Sequence, residues 1–151
     1  MKKLLVSSML LVSFVSYGQI AVMSIPKSTE VGKIKSGMYT HAEITYTTEG
    51  KDTTFTFRYM DAQYKTLTEY KSVYFQSDNN TLESFYQICK SVFNDENKKN
   101  KDYSVDFKLG NDFMLVKNSR MFGIGYVTIG VINKGFTIQL LESQIDKLFG
   151  K

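Results

Sequence analysis

NTLESFYQICKSVFN, residues 80 to 94, is the stretch on which the fold turns. Leu82, Phe85, Tyr86, Cys89, Val92 and Phe93 recur at three- and four-residue intervals, which lays one apolar stripe along an α-helix. Asn80 stands where an N-cap accepts from first-turn amides, and Glu83 three places on completes a capping-box-like start. The spacing predicts a helix over residues 81–94, ended by the polar run Asn94 to Asn100.

On both sides of this helix the period changes from 3.6 to 2. Upstream, Tyr39 to Thr47 and Thr53 to Met60 are rich in Thr, Tyr and Phe, with the turn residues Glu49-Gly50-Lys51-Asp52 between them, and Glu69 to Gln76 reads as a third strand. Downstream, Tyr103 to Leu109 alternates apolar and polar, and Gly110-Asn111 is a two-residue hairpin signal into Asp112 to Lys117. Met121 to Ile132 and Phe136 to Leu140 follow, joined by Asn133-Lys134-Gly135, with Gly135 as the left-handed turn residue. Leu141, Ile145, Leu148 and Phe149 return to helical spacing before Gly150 as a stop. The expected class is α+β: an antiparallel sheet of about seven strands, one central amphipathic helix packed on it, and a short C-terminal helix.

Residues 19–38 lack a clear period and read as an extended leader or a first irregular strand, which leaves 39–151 as a single domain. Before them, Lys2 and Lys3 precede an apolar run from Leu4 to Ser16, the layout of a secretory signal. The run falls short of the roughly 20 residues a spanning helix needs. Ser16 and Gly18 place small residues before a cut between Gly18 and Gln19, so residues 1–18 are expected to be removed and the protein to be periplasmic or secreted. The sole cysteine, Cys89, is far from that cut, which argues against a lipid anchor, and one cysteine closes no internal disulfide.

Of the 19 basic residues two lie in the signal, so against 15 acidic ones the exported chain carries only +2. That balance supplies no long-range field for nucleic acid or for a membrane surface. The densest basic stretch, Lys98-Lys99-Asn100-Lys101, is flanked by Asp95, Glu96 and Asp102 and reads as a solvated loop.

Several catalytic and metal constellations fail on their own chemistry. His41 is the only histidine, and His41-Ala42-Glu43 lacks the Cys-x-x-Cys half of a zinc-deaminase signature. No Gly-x-Ser-x-Gly elbow is present, and Cys89 sits among apolar residues that raise a thiol pKa. A calcium loop over Asp95 to Asp106 would have Lys99 at its fifth position, Asn100 in place of the required glycine and Asp106 in place of the bidentate glutamate. Gly123-Ile124-Gly125 is followed by β-formers, not by the helix a phosphate loop requires, and reads as a bend or bulge in a buried strand. Asn79-Asn80-Thr81 and Asp52-Thr53-Thr54 match short glycan-acceptor patterns, although the first also serves as a helix cap. No cofactor or metal is expected.

What remains is aromatic. Between Tyr39 and Phe75 lie six tyrosines and three phenylalanines, more than one sheet face needs. With Phe55, Phe57, Val73 and Phe75 turned to the core, Arg58, Tyr70 and Tyr74 point outward, and Tyr and Arg are the side chains enriched where proteins grip partners. The first expectation is a non-enzymatic binding domain for another envelope or extracellular protein, unless the terminal helix or the leader covers that face. The second is a carrier of an apolar ligand in a barrel-like cavity lined by Met114, Met121, Phe122 and Tyr126. The third is a hydrolase using only the carboxylates Glu43, Asp61 and Glu69. An outer-membrane barrel fits less well, because the chain ends in a helix.

Overall fold

The computed structural model describes residues 26–61, 69–78, 80–132 and 136–151. The expected cut between Gly18 and Gln19, the hairpin glycine Gly135 and Asn79 lie outside them. Among the described residues the chain forms β1 (Thr29–Ser36), β2 (Tyr39–Glu49), β3 (Asp52–Met60) and β4 (Tyr70–Gln76), then the helices α1 (Thr81–Ser91) and α2 (Asp95–Lys99). The strands β5 (Ser104–Leu109), β6 (Asp112–Met121), β7 (Ile124–Val131) and β8 (Phe136–Leu140) follow, and α3 (Glu142–Leu148) closes the chain.

The class is α+β with antiparallel pairing throughout, but the single sheet of about seven strands is replaced by two sheets of four, β1-β2-β3-β4 and β5-β6-β7-β8. Each sheet is a simple meander followed by helix. The added strand, β1, comes from the segment expected as a leader or a first irregular strand, and is the strand. Its inward positions are Gly32 and Ile34, and a Cβ on Gly32 would stand 2.2 Å from the Lys147 carbonyl oxygen, so α3 occupies the space a side chain would fill. In the chain α1 and α2 intervene between β4, the last strand of one sheet, and β5, the first of the other. These two strands approach without a hydrogen-bonded ladder. Gly110, at φ +60, lies so close that a Cβ would be 1.9 Å from the Tyr74 carbonyl oxygen.

Side-chain rows run across both sheets. Ile34, Ala42 and Tyr59 form one row of the first sheet, Ile44, Phe57 and Val73 the next, and Tyr46, Phe55 and Phe75 a third. In the second sheet Val105, Val116, Ile129 and Ile138 are in line. Phe85 of α1 joins the two, its ring centroid 5.6 Å from Phe57, 6.3 Å from Phe75, 5.7 Å from Phe107 and 5.1 Å from Phe149. Burying one such ring contributes about 1.5–3 kcal/mol. The result is one continuous core, with Ile145, Leu148 and Phe149 closing it.

Three local expectations are corrected. Asn80 takes a left-handed backbone (φ 60) and makes no side-chain cap, because an N-cap needs the extended region to aim its oxygen at the first-turn amides. Thr81 instead turns its hydroxyl back onto Asp78, 2.9 Å from the carboxylate Oδ1. The polar run after α1 winds into the short α2 instead of ending as loop. Finally, the glycines at 123 and 125 do not mark a bend in a buried strand. β6 continues to Met121 and the chain reverses at Phe122 (φ 52) and Gly123 (φ +81).

Candidate interaction face

Alternation on β3 and β4 decides which side chains leave the core. With Phe55, Phe57 and Tyr59 buried, Thr54, Thr56 and Arg58 face outward, and with Val73 and Phe75 buried, Tyr70, Ser72 and Tyr74 do so. Pairing places Glu43, Arg58 and Ser72 in one outward row and Thr45, Thr56 and Tyr74 in the next. Tyr70, a diagonal neighbour of Arg58, lies under its guanidinium, whose carbon is 4.3 Å from the ring centroid.

Arg58 Nε is 3.2 Å from Glu43 Oε1, and Lys33 Nζ is 3.2 Å from Glu43 Oε2 and 2.6 Å from Glu30. The Nε–H is not aligned for a hydrogen bond, so the Arg58–Glu43 contact is an ion pair only. Hydrogen bonds to Glu30 and Glu43 hold the Lys33 ammonium above its ordinary pKa. The row is thus a fixed alternation of charge, cation–acid–cation, with a tyrosine ring supporting the last cation. Tyr74, 62% exposed, stands beside it over the half-buried threonines Thr45 and Thr56. Such a face suits a partner that brings a carboxylate or carbonyl to Arg58 and an apolar edge to Tyr74. The terminal helix does not lie over it: α3 meets β1 at Gly32, on the core side.

The other sequence candidates are dispersed. His41 shares the outward side of β2 with Glu43, and among the described residues no three of His, Cys, Asp and Glu gather as a metal would require. Asp61 is buried at the end of β3, Glu69 is exposed beside Lys71, and Glu43 lies on the opposite face, so the three carboxylates do not converge. Burial raises the Cys89 thiol well above its ordinary pKa. Burial, with Asp61 and Asp112 nearby, does the same to the Tyr59 hydroxyl, which has no hydrogen-bond partner among the described residues. Met114 is in the core while Met121 and Phe122 are exposed at a hairpin tip, so they do not line one cavity. That tip was not recognised as a surface feature from sequence. Its signal was the Phe122-Gly123 pair at the centre of a β-former run.

Among the described residues no helix is long and apolar enough to cross a membrane. Compared with protein-family models, curated proteins and solved structures, the chain matches none.

Proposed function

We propose that this is a small exported, non-enzymatic binding domain that engages another envelope or extracellular protein through the outer face of its first sheet. The observation that carries the reading is the Arg58–Tyr70 stack, tied to Glu43 and set beside the exposed Tyr74. Holding a large aromatic and an oriented guanidinium in place lowers the ordering cost that a partner would otherwise meet. Export is supported by the Lys2-Lys3 charge, the Leu4 to Ser16 apolar run and the small residues before Gln19.

The test is capture from the native envelope fraction on immobilised protein, with Tyr74→Ala and Arg58→Ala as matched variants and intact mass confirming a start at Gln19. A partner held by the parent and lost from both variants, with thermal midpoints within about 2 °C of the parent, is the expected result. Identical retention by parent and variants sinks the assignment of this face, and a mass that includes Met1 sinks export with cleavage.

A further inference from the structure

The second sheet ends in an arm. β5 reaches β6 only as far as the Ser104–Lys117 pair, and β8 reaches β7 only as far as Leu140–Val127. Beyond those pairs residues 118–126 continue as a two-stranded ribbon. At its tip Met121, Phe122 and Ile124 are 47%, 97% and 50% exposed. Phe122 has a left-handed backbone, φ 52, at a position where hairpins favour Asn, Asp or Gly. A turn selected for stability alone would not keep a phenylalanine there.

A collar of cations lies beneath the tip. The Asn118 amide donates to the backbone oxygens of Asn97 (3.0 Å), Lys98 (3.2 Å) and Asn100 (2.9 Å), and Arg120 Nη2 donates to the Lys98 oxygen at 2.7 Å. These bonds tie the 97–101 segment to the base of the ribbon and set the exposed Lys98, Lys99 and Lys101 near Arg120. Asp95 and Glu96, one turn before Lys98 and Lys99 on the five-residue α2, and Asp102 beside Lys101 offset part of this charge. Glu142 is held by Lys90 at 2.7 Å, so the four cations exceed these three acids by one. The chain's small net charge does not describe this region, because charges beyond about 8 Å are screened at physiological salt.

The dimensions fit a lipid interface. At about 3.3 Å per strand residue, Phe122 stands roughly 13 Å beyond Asn118. Interfacial apolar groups sink about 5–10 Å to the headgroup–acyl boundary, which leaves the collar at the level of the phosphates. We propose that the β6–β7 arm docks the protein reversibly on an anionic bilayer, Met121, Phe122 and Ile124 entering the acyl region while Lys98, Lys99, Lys101 and Arg120 meet lipid phosphates. The device is independent of the first sheet's face and needs no anchor.

Flotation of the exported protein, its start confirmed by mass, tests this with vesicles of phosphatidylcholine alone and with about one-third phosphatidylglycerol. The anionic vesicles should carry the protein, and Phe122→Asp should lower the bound fraction about tenfold or more. Aspartate tolerates φ 52 better than phenylalanine, so the thermal midpoint of that variant should not fall. Lys98→Gln with Lys101→Gln should reduce binding and flatten its salt dependence. No flotation, or equal flotation of Phe122→Asp, overturns the proposal. Equal binding to both lipid compositions overturns the role given to the collar.

Discussion

Replacing Gly110 by alanine probes a close backbone approach between the facing edges of the two sheets. Gly110 and Gly50 share nearly the same left-handed backbone, φ +60 and +62, but their surroundings differ: nothing lies within 4 Å of a Cβ on Gly50, whereas one on Gly110 would sit 1.9 Å from the Tyr74 oxygen and 3.0 Å from its carbon. At Gly50 alanine costs only the left-handed strain, about 1 kcal/mol. At Gly110 the same strain is joined by a backbone overlap that forces β4 and β5 apart, for which overpacking adds about 1–3 kcal/mol. With an unfolding entropy of about 2.1 cal/mol/K per residue over roughly 125 residues, each kcal/mol moves the midpoint by about 4 °C. Thermal unfolding followed by circular dichroism should therefore show a drop of about 4 °C for Gly50→Ala and about 8–15 °C for Gly110→Ala. Equal drops would refute the close approach of the Gly110 turn to β4, and with it the packing that brings the two sheets together there.

Two further changes follow from buried and ionic groups. Tyr59→Phe removes a buried hydroxyl without a hydrogen-bond partner among the described residues, so stability in urea should stay equal or rise by up to about 1 kcal/mol; a clear loss would mean that the hydroxyl is satisfied in solution. Lys90 reaches Glu142 at 2.7 Å and Asp146 at 3.0 Å, and Tyr86 donates to Asp146 at 2.9 Å. The Lys90 hydrogen bond holds Asp146 below its ordinary 3.8, while the bonds to both acids outweigh burial and hold Lys90 above 10.5. A depressed acid loses its contribution as pH falls through its folded value, and a raised base loses its own as pH rises through its folded value. The advantage of the parent over Lys90→Ala, a few tenths to about 1 kcal/mol for a half-exposed pair, should be flat at intermediate pH. It should shrink as pH falls below 3.8 and as it rises above 10.5; an advantage that stays flat throughout the acid limb would exclude Asp146 as its source.

Local chemistry made much of this fold readable. The stripe from Leu82 to Phe93 gave α1, and the Gly50 and Gly110 turns gave hairpins at the expected places. Alternation alone showed that Arg58, Tyr70 and Tyr74 point away from Phe57, Val73 and Phe75. What escaped depended on contacts distant in sequence. β1 was obscured because its inward Gly32 has no side chain, a requirement set by the carbonyls of α3. The division into two sheets was hidden because no turn between neighbouring strands reports whether β4 and β5 pair. The Glu43–Lys33 half of the outward charge row depended on the register of that strand, which an irregular pattern does not supply. Phe122 violates the usual turn preference, so propensity moved the reversal to the wrong place.

The closure of the core by α3 also sets an order of events. Ile145, Leu148 and Phe149 come from the end of the chain, yet they pack where β1, its first described strand, needs cover; even Gly150 would place a Cβ 2.9 Å from the Val31 oxygen. A growing chain that has reached Leu140 has made all eight described strands and still lacks the residues that close the core over the first sheet. Contacts spanning more than a hundred residues form slowly, since a long loop must close before they contribute. The first sheet can therefore close its core only after α3 has been made, however early its four strands have paired.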